Sequence, residues 1–418
     1  MHDIVFIGAG IHGVFLACNL VARGWTTSER LALIDPWPAP LHLWRRNTAA
    51  CGMRFLRSTS SHNMTDDFHA LRRYARARGY TEDHFLQPYS RPTLELFNRH
   101  GEEVITLSGI DRRIVKGRAV TVEPRGGDAR ALERGWVVRT DNGDVAARRV
   151  ALAVGRSEEP RIPDWARRLP PRAPVHHVFD TPGSATEGFR DGTVTIVGGG
   201  ISAVQTALSL ADGRRTVNLV SRHPVRVAHF DSDPCYMGPR CLGDFLALPT
   251  PAERLHAVGT ARTPGTIPWD VAAGLDAARD AGAIRFIQDD VDGATMAGSA
   301  LRLSLRRGDA LATDRVVLAT GFEPGPPERT LLAAIARDAG LPLNSEGYPA
   351  IDRFLRWSRG FFVASALAEL ELGPMAPNIY GAHAALRRIL PALAGTGANA
   401  TRLLSPWNPV RSFERRAG

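Results

Sequence analysis

No apolar run in this chain of 418 residues reaches the roughly 18 residues that would span a bilayer. The first residues carry no basic region followed by an apolar stretch and a small-residue cleavage site. These absences lead to the expectation of a cytoplasmic protein with no membrane partner. Cysteine is scarce, four residues in all, which fits a reducing compartment. Cys235 and Cys241 stand six apart, too far for a CxxC redox pair. No histidine cluster accompanies them to suggest zinc, so a structural or incidental role is expected and no metal. Cys18 falls in a helical stretch and reads as core, whereas Cys51 falls in a loop. Lysine is nearly missing: Lys116 is the only one among 52 basic residues. A net charge of +9 would otherwise suggest nucleic acid or an acidic membrane. The arginines are scattered, however, and doublets such as Arg72-Arg73, Arg167-Arg168 and Arg387-Arg388 fall where solvated helix faces are expected. The charge therefore reads as a bias toward arginine, and no nucleic-acid partner is expected.

The composition that remains is ordinary for a globular protein, 44% hydrophobic and 23% charged, and the length suffices for two or three domains. Two glycine-rich turns stand out, about 190 residues apart. Gly8-Ala9-Gly10-Ile11-His12-Gly13 directly follows Ile4-Val5-Phe6-Ile7, and Gly198-Gly199-Gly200-Ile201-Ser202-Ala203 directly follows Val194-Thr195-Ile196-Val197. Each follows an apolar strand and opens a helix. One such turn is a weak sign of a dinucleotide. Two in one chain suggest two nucleotide cofactors face to face, a flavin and the nicotinamide that reduces it.

In the first turn Gly8 allows the tight bend, Gly10 lets the backbone approach a pyrophosphate, and Gly13 lets helix and strand pack closely. The helix N-terminus offers free N–H groups and partial positive charge to the phosphates. Asp35 ends the next strand, 22 residues past Gly13, and is placed to accept hydrogen bonds from a ribose. In the second turn Gly198 and Gly200 play the same parts, and Ser202-Ala203 replaces the third glycine with small residues. Its second strand ends in Ser221-Arg222-His223 instead of an acid. An acid would repel a 2′-phosphate, whereas arginine pairs with it in fork geometry. The site thus reads as NADPH-preferring, with Ser221 adding a hydrogen bond; the alternative is that Arg222 is merely exposed. The positive net charge would also favour so anionic a cofactor.

The first βαβ unit runs strand 3–7, helix 11–23, strand 31–35, with helical pattern near 65–78 and 91–100 and strands near 104–107, 119–122, 135–140 and 145–154. A proline-rich connector at 160–182 marks a domain boundary. The second unit runs strand 193–197, helix 201–211, strand 216–221. An irregular stretch at 224–268, long for a loop, is expected to be a lid or insertion. Helix 269–281, a strand to Ala319-Thr320-Gly321, helix 328–339, strand 360–364 and helix 376–393 complete the pattern.

This order resembles the flavoproteins with two dinucleotide-binding domains, which include glutathione-reductase-like enzymes, flavin-containing monooxygenases, Baeyer–Villiger monooxygenases and amine N-hydroxylases. The strands ending Ala153-Val154-Gly155 and Ala319-Thr320-Gly321 match that family's crossover segments. The resemblance implies an α/β fold of two Rossmann-like dinucleotide-binding domains, for FAD and NADPH, in a glutathione-reductase-like arrangement. The FAD domain is then discontinuous, 1–165 and 320–418. The NADPH domain is 186–319 and includes a substrate or lid insertion at 224–268.

Within the family the disulfide reductases carry a CxxC beside the flavin, and this chain has none. Other segments resemble the monooxygenase branch. Trp44 stands nine residues after Asp35, where flavin-containing monooxygenases place a tryptophan, with Leu41-His42 in place of their glycines; simple core packing is the alternative. Met53-Arg54-Phe55-Leu56-Arg57-Ser58 resembles the flavin-side stretch of ornithine and lysine N-hydroxylases. Arg57 would take the position of a lysine, binding a carboxylate or NADPH, and Ser58 that of an acid. In the next segment Asn63 could contact flavin N5; alternatively Thr65 or Asp66 caps helix 65–78 with Asn63 in the preceding turn. His176 and His177 occupy the linker where N-oxidising relatives have a shorter histidine motif, and a structural role is expected. Asp231 and Asp233 are candidate amine partners, or else surface turn acids. Near the C-terminus, Leu372-Gly373-Pro374-Met375-Ala376-Pro377-Asn378 leads into a helix whose positive end would face the flavin pyrimidine. Pro374, Asn378 and, after the crossover strand, Gly321 are candidate contacts. Ser365 stands where many relatives have glycine. The resemblance implies an NADPH- and O2-dependent monooxygenase that N-hydroxylates a small amine or amino acid through an oxygen adduct at flavin C4a. The alternatives are a flavin reductase that passes electrons on without oxygenation, and a non-catalytic nucleotide-binding module.

Overall fold

The computed structural model describes residues 1–126, 134–156, 158–180 and 189–394. Two parallel sheets organise it. The first has the strand order Arg356–Ser358, Phe361–Val363, Val150–Leu152, Ile4–Ile7, Leu31–Asp35, Ile114–Lys116, all parallel except the first pair. The second has the order Val175–His177, Arg315–Leu318, Gly192–Val197, Arg215–Ser221, Ile284–Gln288, parallel throughout. The central strands are continuous apolar runs because both faces of each sheet are covered, one by helices and the other chiefly by an antiparallel sheet. Val5, Phe6, Val194 and Ile196 are accordingly buried. The strand Val175–His177 shows that the proline-rich connector itself supplies an edge to the second sheet. Three-stranded antiparallel sheets flank each parallel one, Ala119–Pro124, Trp136–Thr140, Gly143–Ala147 and Val291–Ala297, Ala300–Leu305, Ala310–Thr313. The expected strand 145–154 is thus two strands in two different sheets. The expected span 320–418 ends outside the described residues, as does Pro182 of the connector. Among the described residues no helix is long and apolar enough to cross a membrane.

The first glycine turn is followed by helix Ile11–Ala22, which packs between Leu94–Ser108 and Ile379–Ala394. Phe15, Leu16, Phe97, Val104, Leu386 and Leu390 meet there in the largest core. Cys18 is part of it, and burial raises its thiol to about 12. Helix Leu94–Ser108 starts at Thr93, whose side chain accepts from Leu96 N, and stops at Gly109 in the left-handed region (φ +70°). It runs later than the pattern at 91–100 implies.

Two corrections concern segments near the cavity described below. The expected helix 65–78 begins only at Ala70. Neither Thr65 nor Asp66 caps it: Thr65 turns back to Asn63 Oδ1, and Asp66 is held by Asn19 and an ion pair with Arg23. The stretch 224–268 is not irregular. It holds a turn at Pro234–Met237 and two helices, Pro239–Ala247 and Pro251–Ala261, closed by the paired strands Arg226–Val227 and Thr266–Ile267. Pro239 and Pro251 are each the first residue of a helix, where a missing N–H costs nothing. Thr250 and Glu253 form a reciprocal capping box. Cys235 and Cys241 form a disulfide across the turn-to-helix junction, with Cα atoms 5.6 Å apart.

This insertion docks on the segment that precedes the C-terminal helix. Glu369, fully buried, takes an ion pair from Arg156 at 3.0 Å, another from Arg262 of the insertion at 2.5 Å, and the hydroxyl of Tyr348. Arg254 adds a bond to Glu371 at 2.5 Å. One carboxylate therefore joins three distant parts of the chain. Removing it strands two arginines, so Glu369→Ala is expected to cost about 3–5 kcal/mol of stability. Thermal denaturation of the variant checks this; an unchanged Tm would remove Glu369 from that role.

Candidate functional site

Both glycine turns lie at the C-terminal ends of their sheets, where parallel sheets leave a crevice. In the first, Gly8 has φ +105°, and a Cβ there would meet the carbonyl oxygen of Ala153 at 2.8 Å. A Cβ on Gly13 would collide with Gly8 O. Gly10 differs: its φ is −74° and a Cβ would meet nothing within 4 Å. Gly8 and Gly13 are thus required by packing, and Gly10 by open space in front of the helix. Asp35 Oδ2 accepts from Ala9 N at 2.7 Å and Oδ1 from Trp37 N at 3.0 Å. Burial raises its pKa, and these two N–H groups work against that rise.

A cavity of about 620 Å³ runs from this turn. Gly8, Gly10, His12 and Asp35 line one end, with Arg118, Glu158 and Glu328 beyond Asp35. Arg118 pairs there with Glu158 at 2.9 Å and Glu328 at 3.6 Å. The middle is lined by Trp44, Leu56, Arg57, Ser58 and His62, and by Ser365, Met375, Pro377 and Asn378. The far wall belongs to the second sheet's side and includes Ile201, Ser202, Gln205, Phe230 and Asp231. Phe179 and Phe322, stacked with centroids 5.5 Å apart, close the junction.

Trp44 stands between the cavity and the core. It lines the cavity, packs on Phe97 and donates from Nε1 to Asn98. Asn378 lines the cavity one residue before helix Ile379–Ala394, and its Nδ2 donates to Asp231 Oδ1 at 3.2 Å. Ser365 has φ +64°, the left-handed region that favours glycine. Pro374 is outside the lining, and its carbonyl accepts from Arg262. Gly321 has φ +81° and receives Arg161 N at its carbonyl, while its neighbour Phe322 reaches the cavity.

Two expected catalytic residues require correction. Arg57 lines the cavity but is not an open cation. Its Nε donates to His229 O at 2.6 Å, Nη2 to Ala228 O and Thr266 Oγ1 at 2.8 Å each, and Nη1 to Thr266 O at 3.3 Å. It ties the flavin-side loop to the insertion, and burial lowers its pKa. Asn63 is fully buried and absent from the lining. Its Nδ2 donates to Asp67 O and its Oδ1 accepts from Thr65 N, both at 2.9 Å, so it shapes the turn; the neighbouring His62 faces the cavity instead. Arg91, missed in the sequence, supports Arg57's loop: fully buried, it donates to Leu56 O at 2.6 Å and pairs with Asp270 at 2.5 Å. No local pattern marks it, since its two partners come from segments far from it and from each other.

In the second turn Gly198 (φ +153°) lies against the carbonyl of Ala319 as Gly8 lies against Ala153. The loop 263–265 crosses in front, with Gly265 Cα 3.6 Å from where a Cβ of Gly200 would stand. The cavity therefore meets this helix at Ser202, beyond Gly198 and Gly200. Ser221 is buried and bonds His223 O at 2.8 Å, and Arg222 is exposed beside it at the strand end. Asp233 is spent capping Cys235 N, whereas Asp231 lines the cavity. His177 is buried in its strand and accepts from Phe179 N, a structural role.

His12 and His62 line the cavity, and His383 is buried behind His62. Burial pushes His12 and His62 down to about 4 and His383 to about 3. His12 Nε2 donates to Asn378 O and His383 Nε2 to Asn63 O. The unfolded chain binds these protons more readily below pH 6.5, so the stability of neutral rings is full above that pH and is lost on acidification. Each ring should cost about 2 kcal/mol at pH 5 relative to pH 8. Tm should fall over that range, and His383→Gln should flatten the fall; a flat wild-type profile would refute it.

Gly10→Ala gives a separate expectation. The FAD-free protein should keep its Tm, while flavin affinity, read by fluorescence titration, should fall at least about tenfold because the methyl enters the phosphate space. Equal FAD affinity would show that the pyrophosphate does not sit there.

Known proteins share this fold. A family model described as FAD-NAD(P)-binding matches residues 5–157, and one described as L-lysine 6-monooxygenase/L-ornithine 5-monooxygenase matches residues 118–239. Among solved structures, an ornithine hydroxylase from Pseudomonas aeruginosa superposes with TM-score 0.72 at 17% identity, covering 94% of this chain and 98% of that one. An ornithine N-hydroxylase from Kutzneria sp. 744, whose structure holds reduced FAD, NADP+ and L-ornithine, gives 0.71 at 18% identity over all of both chains. An L-lysine 6-monooxygenase from Pseudomonas syringae gives 0.68 at 19% identity, also over both whole chains. Curated protein sequences give no match.

Proposed function

We propose that this chain, which has the fold of the two-dinucleotide flavoproteins and is similar to the ornithine and lysine N-hydroxylases, is an FAD-dependent monooxygenase that consumes NADPH and O2 to hydroxylate the nitrogen of a small amine or amino acid. The FAD-binding unit is 1–165 with 320–418, and the NADPH-binding unit is 186–319. The observation that carries the reading is the single cavity that runs from Gly10 and Asp35 to Ser202. The first turn and the first residues of the helix after the second turn both line it, and no cysteine pair lines it.

The first turn fits FAD: open space at Gly10, a helix N-terminus behind it, and the cavity-lining Asp35 oriented by two backbone N–H groups. FAD supplies, when bound, the ring that activates O2, and NADPH the reducing equivalents. The chain's own residues do the rest. Asn378 and the N-terminus of helix Ile379–Ala394 present donors and positive potential to the pyrimidine edge of the ring. Arg57 and Arg91 hold the loop Leu56–Ser58 over the cavity, and Phe179 and Phe322 exclude water at the junction. At the second turn Arg222, exposed at the strand end, pairs with the 2′-phosphate of NADPH.

Aerobic turnover with NADPH and a panel of amines should give hydroxylated product, identified by mass spectrometry, in proportion to NADPH consumed. Anaerobic reduction of a small acceptor, with peroxide alone under air, would establish a reductase instead. Arg222→Ala should raise the KM for NADPH about ten- to a hundredfold, the worth of one charge-assisted pair, and leave that for NADH unchanged. An unchanged NADPH value would remove Arg222 from the phosphate site.

A further inference from the structure

The charged groups on the cavity wall are unequally satisfied. Its cations among the described residues are Arg57, Arg118 and Arg156. Arg118 is spent on Glu158 and Glu328, and Arg156 on Glu369 and the carbonyls of Glu323 and Gly325. Arg57 gives its Nε, both hydrogens of Nη2 and one of Nη1 to the insertion, which leaves one N–H. A carboxylate bound by arginine is gripped by two parallel N–H groups. Arg57 has no such fork left, and Lys116 is exposed at the end of the edge strand Ile114–Lys116, outside the lining.

The carboxylate on that wall is in the opposite condition. Asp231 Oδ1 accepts from Asn378 Nδ2 at 3.2 Å, and its main-chain oxygen accepts from Thr263 N at 2.9 Å. Among the described residues its Oδ2 has no hydrogen-bond partner and no arginine forms an ion pair with it, although Arg57 and Asp231 attract each other at longer range. Asn378 thus fixes the orientation of a carboxylate whose second oxygen is open, between the aromatic face of Phe230 and the end of the C-terminal helix. Asp231 is the one acid of the substrate-side wall, because Asp35, Glu158 and Glu328 all lie at the ribose end.

We propose that this cavity takes a primary amine without a carboxylate, a monoamine or diamine, whose ammonium group is held by Asp231. This rests on the N-hydroxylase reading and narrows its substrate class. An amino acid would bring a carboxylate to a wall where Arg118 and Arg156 are paired with acids and Arg57 has one N–H left, so it would find no two-point grip, and burying it so poorly partnered costs more than its ammonium recovers. A plain amine satisfies the open oxygen of Asp231 and needs no such grip.

The test uses pairs that differ only by that carboxylate, cadaverine against L-lysine and putrescine against L-ornithine, with the FAD-loaded wild-type enzyme. Product formation should favour each diamine by at least about tenfold in kcat/KM, as loss of one charge-assisted partner implies. Calorimetric titration of the oxidised holoenzyme should show cadaverine binding tighter than lysine by a similar factor. Asp231→Asn, checked for bound FAD, should weaken cadaverine binding and raise its KM about tenfold or more, and Asp231→Glu should recover part of it. Equal or better binding and turnover of the amino acids would overturn the proposal, as would unchanged cadaverine binding in Asp231→Asn. Should no amine or amino acid be hydroxylated, the N-hydroxylase reading fails, while the calorimetric comparison still decides the binding preference.

Discussion

The carbonyl oxygen of Ala153 stands where a side chain on residue 8 would have to be. The same relation recurs between Ala319 and residue 198. In each sheet the strand that crosses to the centre, Val150–Leu152 or Arg315–Leu318, ends against the turn that leaves the neighbouring strand. Only glycine allows that approach, and the approach in turn sets where the next helix begins. With the helix N-terminus fixed, its free N–H groups face the crevice, and every other feature of the cavity is arranged around that direction. Asp35 extends the line of the first turn along the sheet edge, and Ser202 marks where the second meets the common space.

What was legible in the sequence is what depends on this local geometry. Both turns, their flanking strands and helices, and Asp35 stand where the spacing puts them, because strand–turn–helix units are encoded within about thirty residues. The insertion was misread because Pro239 and Pro251 look like loop punctuation, whereas a proline at the first helical position is a helix signal. Asn63 does not line the cavity, whereas its neighbour His62 does. An asparagine and a histidine in a turn are interchangeable as candidates until the backbone shows which of them is consumed by the turn, and here Thr65 and Asp67 consume Asn63. A separation of six between Cys235 and Cys241 excludes a CxxC redox motif but not a bond, since a turn running into a helix returns the chain on itself.

The least legible part is what joins the two parallel sheets' surroundings. Arg57, Arg91 and Glu369 each bind partners from segments far apart in sequence, and two of the three are fully buried. Arginine was chosen at every such junction. Its planar fork serves several carbonyls at once, which a lysine ammonium does less well. A sequence rich in arginine thus conceals, among many solvated side chains, the few that fix the flavin-side loop, the insertion and the C-terminal helix relative to one another. The same choice converts an expected binding residue into a positioning one: Arg57 reaches the cavity wall but has spent its donors holding that wall together.

The near-absence of lysine has a practical side once the strand order is known. Lys116 ends the edge strand of the first sheet, in register with Asp35, and is exposed to solvent. Gly117 and Arg118, which follow it directly, line the ribose end of the cavity. Amine-directed reagents have one side chain to modify in this protein. A fluorophore attached there would sit beside the Asp35 end of the cavity, a reporter site that composition and topology together leave unique among the side chains.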